Sequence, residues 1–426
     1  MTRQLSVEVT VDNTAGLSRV AVPPYNRART VNLRFLEFPG VPGLLVQAWG
    51  SAFPEDGGGG YQGRIAHSIG ELNSRIDILR ETWQRHVVDV AERTERGPRR
   101  HPFADDWDLS QRPELLRRAG FALADAGYLM YRLLFAGPDR GLQRIRALLE
   151  LALAEGENVI SIESDSLIVP WGMLYTSPRR PDEYPDDENW SLAGFWGYRH
   201  VVEHTFSRVD DFDARITVDG GKPVVGLNVD HGVDRQFPET PYIAPVVDFF
   251  HGRAEVVLRP DKKTLAAHFR SRDFADHVTY FGCHGKVSGS GGLIEQPYLK
   301  LGDGERIYGT DLTAWLEEAP LPTKPFVYVG ACQGGQVTSA FYSAFGKALL
   351  GNGGRCLIGP QIDLPPAFAC EYSRRLFTEF IDTGAKLGDI VRSLARAFAD
   401  EHHNPLGLMF SLYRGIDVHL WQEGRP

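Results

Sequence analysis

Apolar positions follow one rule in the first part of the chain and another in the second. In "RTVNLRFLEF" (29–38) they fall at every second residue, and "GLLVQAWGSAF" continues as a third strand candidate after "LSVEVTV" (5–11). Alternation of that kind predicts strands with one buried face. The "EDGGGG" run at 55–60 reads as a loop. Beyond it the period lengthens: Ile65, Ile69, Leu72, Ile76, Leu79, Trp83, Val87 and Val90 recur at threes and fours, the stripe of a long amphipathic helix. "RTERGPRRHPFADDWD" (93–108) mixes charge with Gly and Pro and marks a boundary. Helical blocks follow from Pro113 to Phe135 and from Gly141 to Ala154, and "NVISIESDSLIVPWGMLY" predicts one or two strands closed by Pro170 and Trp171. No self-similar period near 34 residues appears, so nothing points to a helical repeat array.

From Lys222 onward short, continuously apolar runs alternate with helical ones. "KPVVGLNVD", "AEVVLRP", "HVTYFGCHG", "PFVYVGACQGG" and "GRCLIGPQID" read as strands. "YIAPVVDFFHG", "DKKTLAAHFRS", "YGTDLTAWLEEA", "VTSAFYSAFGKALLG", "AFACEYSRRLFTEFIDTG" and "KLGDIVRSLARAFADEH" read as helices, with Asp261 as an N-cap. Strands with no polar face, separated by helices, predict a mostly parallel sheet covered on both sides. The fold class expected for 222–426 is therefore α/β and doubly wound.

Composition narrows the function classes. A chain of 426 residues is too long for one ordinary core, which predicts two or three domains. With 42% hydrophobic and 24% charged residues it is globular rather than disordered. No apolar run reaches the roughly 18 residues of a membrane span, and "MTRQLSVEVTV" lacks the layout of a signal peptide, so a cytoplasmic location and no membrane partner are expected. The net charge of −9 gives no electrostatic footprint for nucleic acid. Arginine alone is used before Lys222, a bias that fits a GC-rich bacterial genome. Cys283, Cys332, Cys356 and Cys370 contain no CxxC pair, which argues against a disulfide framework and a structural zinc site.

Chemistry concentrates at two strand ends. Ligands of open α/β sheets bind beyond the carboxyl ends of the strands. One strand here ends in Cys283-His284-Gly285, and another, about fifty residues downstream, in Ala331-Cys332-Gln333-Gly334-Gly335. Adjacent parallel strands lie about 4.8 Å apart, so the two loops can bring an imidazole to a thiol. His284 would activate Cys332 and later protonate a leaving amine, while the Gly285 and Cys332 amides would form an oxyanion hole. A helix starting just after Cys332 would favour the thiolate. Strand alternation turns Cys283 to the face opposite His284, and Cys356 and Cys370 sit in apolar contexts that predict inert core thiols. A zinc site from Cys283, His284 and Cys332 lacks a fourth ligand, so no metal or other cofactor is expected. Neither "GKVSGSGGL" nor "AFGKALL" meets the phosphate-loop pattern, and "SGSGG" (288–292) reads as a loop beside the site.

These residues resemble a known family. "YFGCHG", "PYLKLGDGERIYGTDL" and "FVYVGACQGG" are similar to the CHAT proteases, caspase-like cysteine peptidases of the clan that includes caspases, metacaspases and separase. "LIGPQIDLPPAFACEYSRRLFTEFIDTG", "NPLGLMFSLYRGIDVHL" and "LIVPWGMLY" extend the resemblance over residues 120–426. It implies a His284–Cys332 dyad with the Gly285 and Cys332 amides as oxyanion donors. It also implies a caspase-like fold for 222–426, preceded by a pseudo-caspase-like segment (111–221), with a small α+β region (1–110) left for partner or signal recognition. Two departures stand out: Gly172 replaces the glutamate usual after Pro170-Trp171, and the N-terminal part is no tetratricopeptide array. Relatives that cut after basic residues carry a carboxylate near the first strand's end, which makes Asp230 and Asp363 the candidate substrate-binding residues.

The function expected is that of a cysteine endopeptidase acting on protein substrates through a thioester. It would stay latent until a partner protein or signal acts, in bacterial defence or regulated cell death. Two alternatives remain open: a catalytically silent scaffold of the same fold that binds a partner, and a thiol acyl- or glutamine-transferase that differs only in its acceptor.

Overall fold

Half-buried alternating strands and fully buried continuous ones end up in one sheet. The structure, a computed structural model, describes residues 27–38, 40, 42–54, 60–93, 99–178, 180–206, 213–288, 296–318, 320–330 and 341–422. The strand expected at 5–11, most of the glycine run at 55–60, most of the loop at 288–292, and Cys332 with the residues around it lie outside the described residues. The strands are β1 (Val31–Glu37), β2 (Leu44–Trp49), β3 (Tyr61–Ile65), β4 (Val159–Glu163), β5 (Val201–Thr205), β6 (Arg215–Val218), β7 (Val224–Val229) and β8 (Glu255–Leu258). They continue with β9 (Val278–Gly282), β10 (His284–Ser288), β11 (Gln296–Lys300), β12 (Arg306–Tyr308), β13 (Phe326–Val329), β14 (Cys356–Pro360), β15 (Phe410–Tyr413) and β16 (His419–Gln422).

Eleven of them form one sheet in the order β3-β2-β1-β4-β5-β15-β14-β13-β9-β7-β8, and seven of its ten neighbour pairs are parallel. The molecule is thus α/β with a large, mostly parallel central sheet, as expected. The direction reverses once near the middle, where β15 runs parallel to β5 but antiparallel to β14. As a result the carboxyl ends of β7, β9, β13 and β14 lie at the edge opposite those of β1, β4 and β5.

The two sequence rules correspond to two kinds of cover. Along β1 burial alternates, with Val31, Leu33 and Phe35 inside and the Phe35 ring packed on those of Trp171 and Phe135. On β9, β13 and β14 every residue is buried. Val278, Tyr280, Phe326, Tyr328 and Ile358 join one core, and Phe281, Cys283, Val327, Val329 and Leu357 join the other. Helices Ile243–Arg253, Pro366–Phe377 and Leu387–Asp400 cover the first face; Lys262–Phe269 and Gly309–Glu318 cover the second. Asp261 caps Lys262–Phe269 as expected, its side chain accepting from the Thr264 N–H.

The first long helix differs from the reading of its stripe. Ile65 belongs to β3, and the helix runs Ile69–Trp83 because Ser68 and Glu71 form a capping box that starts it there. A wider turn, Gln84–Val88, continues it. Strands β5, β6, β10, β11, β12, β15 and β16 were not legible, being short and of mixed polarity. Gly172 stands where a glutamate is usual in the resembling family; a Cβ there would meet the Leu408 carbonyl at 3.0 Å, and the Gly197 backbone packs beside it.

Buried polar groups pin the sheet. Arg259 and Asp276, both 1% exposed at the side chain, pair bidentately at 2.6 and 2.7 Å behind β7, and Thr279 donates to the same carboxylate. Gly226 of β7 leaves the space: a Cβ there would lie 2.0 Å from both partners. In β5, His204 accepts from the Trp171 indole N–H at 3.1 Å, and just before β5 His200 accepts from the Asn158 amide at 3.0 Å. Burial, which disfavours the charged form, pushes their pKa values down to about 4 and about 3 respectively.

Breaking the buried pair leaves a lone charge, so Asp276→Ala is expected to cost about 3–5 kcal/mol in urea unfolding. Arg259→Met/Asp276→Leu, which removes both charges, should cost clearly less, and equal losses would mean the charge is solvated. Because the unfolded chain takes up protons on these histidines near pH 6.5 and the native chain does not, their contribution is complete above that pH. It falls as the solution is acidified towards pH 4, by up to about 1.4 kcal/mol per pH unit per histidine. A urea midpoint unchanged between pH 7 and pH 5 would contradict this.

Candidate active site

β9 is the axis of the site, because it is hydrogen-bonded on both sides by parallel strands that end level with it. Val229 of β7 stands opposite Gly282, and Val329 of β13 opposite Phe281. The ladder runs one step further on each side: the Asp230 N–H donates to the Gly282 carbonyl at 2.9 Å, and the Gly330 N–H donates to the Phe281 carbonyl at 2.7 Å. Asp230, the start of Cys283-His284, and Gly330 are therefore brought to one edge by register alone.

The chain turns at Cys283 and re-enters β10, whose His284 stands opposite Lys300 of β11 in a separate three-stranded antiparallel sheet, β10-β11-β12. Cys283 points into the core with Phe281, Leu299 and Val329. His284 instead lies against Asp230, Nε2 to Oδ2 at 3.9 Å, and each residue is only 5% exposed. The other carboxylate oxygen, Oδ1, accepts from the Gly232 N–H at 2.7 Å. Gly285, the expected oxyanion donor, is buried in β10 opposite Leu299.

The loop after Asp230 is held from below. Asp234 accepts from the backbone N–H groups of Tyr242, Ile243 and Ala244 at 2.7–2.8 Å, which caps helix Ile243–Arg253 with a negative charge at its positive end. The Tyr242 hydroxyl bonds to that of Tyr280 and donates to the Gly330 carbonyl at 3.2 Å, linking β9 to the end of β13. A Cβ on Gly330 would fall 2.0 Å from that hydroxyl, so glycine is required for the approach. Asp234 and Tyr242 were not singled out from sequence, and no local motif marks them, since their partners come from other elements.

The predicted site residues fall into three groups. His284 and Asp230 meet. Cys332 lies outside the described residues; the described chain stops at Gly330 beside β9 and resumes at Phe341. Asp363 follows β14 at the same edge of the sheet, and its amide N–H donates to the Gln84 side chain at 3.2 Å. Asp363 lines a cavity of about 40 Å³ with Asp77, Arg80, Glu81, Gln84, Gln361 and Ile362. Burial, with Asp89 nearby, pushes its carboxyl pKa up.

Among the described residues no cluster of three or more His, Cys, Asp or Glu is placed to hold a metal ion, and no helix is long and apolar enough to cross a membrane.

No family model matches the chain. In an alignment 441 positions long it is 23% identical to a protein of Vitiosangium sp. (strain GDMCC 1.1324) described as a probable protease. The alignment covers 88% of this chain and 53% of that protein, so the chain spans about half the length of the relative. Two solved structures are similar in part. One is the separase–securin complex of Saccharomyces cerevisiae, with 10% identity, a TM-score of 0.41, and 92% of this chain and 30% of that chain covered. The other is a secreted C11 cysteine protease from Bacteroides thetaiotaomicron in complex with an irreversible peptide inhibitor, with 14% identity, a TM-score of 0.23, and 45% and 58% covered.

Burial drives the thiol pKa values of Cys283 and Cys356 far above the ordinary range, with the Asp230 charge adding to the first, and raises that of Cys370 to about 11. In the folded chain at pH 8, iodoacetamide should leave Cys283 and Cys356 unmodified after exposure that fully alkylates a free thiol, as read by peptide mass spectrometry. Alkylation of Cys283 at a free-thiol rate would overturn its placement in the core.

Proposed function

We propose that the chain is a cysteine endopeptidase of the caspase-like clan, of the CHAT type that its motifs resemble, with His284 and Cys332 as the dyad. The observation that carries this is the position of His284: a buried imidazole two residues past the carboxyl end of β9, the strand whose Phe281 carbonyl accepts from the N–H of Gly330, itself two residues before Cys332 in the chain. The similarity to a relative described as a protease supports the same reading. The pseudo-caspase-like role of 111–221, the recognition role of 1–110 and the catalytic role of 222–426 belong to this proposal.

In the reaction, His284 takes the Cys332 thiol proton and the sulfur attacks the scissile carbonyl, forming a C–S bond and an oxyanion. The Gly285 and Cys332 amides are assigned to that oxyanion. Collapse breaks the C–N bond, and the proton held by His284 goes to the leaving amine. A thioester remains. Water, deprotonated by His284, hydrolyses it and returns the thiol. Asp363 is assigned to substrate recognition, which predicts a preference for a basic residue before the cut. Latency until a partner or signal acts, in bacterial defence or regulated cell death, is proposed from the toxicity of an unrestrained protease inside a cell.

The test is to incubate the full chain with candidate protein substrates and with an electrophilic peptide probe. Cys332→Ala and His284→Ala should each lower cleavage by at least about a thousandfold, and the probe should label Cys332 alone. Full cleavage by Cys332→Ala would refute the dyad. A probe that never labels Cys332, even with candidate partners present, would favour a silent scaffold.

A further inference from the structure

We propose that Asp230 is a positioning residue for His284: its carboxylate holds the imidazole as the Nε2–H tautomer, so that Nδ1 is the nitrogen that takes the thiol proton. The inference rests on the proton-transfer role proposed for His284 and adds a third member to the site.

The geometry starts with Asp230, which has little freedom. Its backbone N–H is part of the ladder to Gly282, and its Oδ1 is held by the Gly232 N–H. The remaining oxygen, Oδ2, is the one facing the His284 ring, and it faces Nε2. The 3.9 Å separation is an ion-pair contact once the ring is protonated and lies beyond direct hydrogen-bond distance; catalytic hydrogen bonds are commonly long before substrate is bound and tighten in the complex. Both side chains are nearly excluded from water, at 6% and 7% exposure, so a carboxylate here acts through a low dielectric on whatever charge the imidazole carries. The backbone on either side of Asp230 is also braced. The strand before it is paired with β8 and β9, and the loop after it is anchored through Asp234 to helix Ile243–Arg253.

The chemistry follows from the inventory of the imidazole. A neutral ring has one N–H and one lone pair, and which nitrogen keeps the proton is decided by the partner of the other. An acceptor-only carboxylate at Nε2 fixes the proton there, frees the Nδ1 lone pair, and stabilises the imidazolium formed once the thiol proton has moved. That role differs from the base of a substrate pocket, which the sequence position of Asp230 also suggested. A pocket carboxylate selects among substrates through binding. A positioning carboxylate acts on the rate of every substrate.

The experiment uses the full chain labelled with [15N]histidine, with His284→Gln identifying the His284 signal in long-range proton–nitrogen spectra. At about pH 8.5 an ordinary imidazole is neutral. His284 should then show a single tautomer protonated at Nε2 in the wild type and in Asp230→Asn, which keeps an acceptor oxygen. Asp230→Ala should move the proton towards Nδ1. A wild-type signal protonated at Nδ1, or an Asp230→Ala spectrum identical to wild type, overturns the proposal. On the peptide substrate identified for the dyad, Asp230→Ala should lower kcat by about 10- to 100-fold with KM changed less than about twofold. A raised KM with kcat intact would instead make Asp230 a substrate contact. If Cys332→Ala still cleaves, the peptidase reading fails whatever the spectra show. If Cys332→Ala is inactive and Asp230→Ala leaves the tautomer unchanged, this inference alone fails.

Discussion

The pairing register of β9 with β7 and β13 is the constraint from which the candidate site follows. In a parallel ladder each strand advances by about 3.3 Å per residue, so a shift of one residue would carry the side chains after each strand to the other face. With Gly282 opposite Val229 and Phe281 opposite Val329, the residues that follow all three strands emerge together. Two further backbone bonds, from Asp230 and Gly330 to β9 carbonyls, carry the alignment past the ends of the strands. The register is enforced from both faces, because every residue of β9 and β13 is buried and a slip would expose aromatic side chains to water and drive others into the wrong core.

That rigidity is distributed over groups far apart in the chain. Tyr280 and Tyr328 stack at 5.0 Å across β9 and β13, and the Ser373 hydroxyl of helix Pro366–Phe377 bonds to both of their hydroxyls. Arg80, from helix Ile69–Trp83, donates to the Gln361 side chain at 2.9 Å, and Gln361 donates to Tyr413. Helix Ile69–Trp83 is thus tied to the residue that follows β14, at the edge that carries His284. The sheet itself is continuous from β3 to β8, so the parts named from the sequence as separate regions share one hydrogen-bonded layer.

A buried imidazole is of use to proton transfer only if its protonation is controlled, and the chain contains the contrast within itself. His200 and His204 have their basic nitrogens occupied by an amide and an indole N–H, which keeps them neutral and structural. His284 has a carboxylate, an acceptor, within ion-pair range. A donor at a ring nitrogen occupies its lone pair, whereas an acceptor beside a ring nitrogen favours a proton there. The thiols are sorted likewise, since Cys283 and Cys356 lie in apolar cores where the thiolate is strongly disfavoured.

Periodicity alone was enough to read the α/β class, the parallel core after Lys222, most helices, the turning of Cys283 away from His284 and the apolar surroundings of Cys356, because burial of apolar side chains acts locally and leaves a period in the sequence. The same reading picked out His284 and Asp230 as residues at strand ends. It did not show that they touch, nor that Asp363 turns towards Gln84, nor that Asp234 and Tyr242 brace the site. Short strands of mixed polarity such as β5, β10 and β15 also carried no signal of their own. Strand order and register decided all of these. They are set by which surfaces best fill the space between layers, and that choice is made among residues hundreds of positions apart, where no local pattern records it.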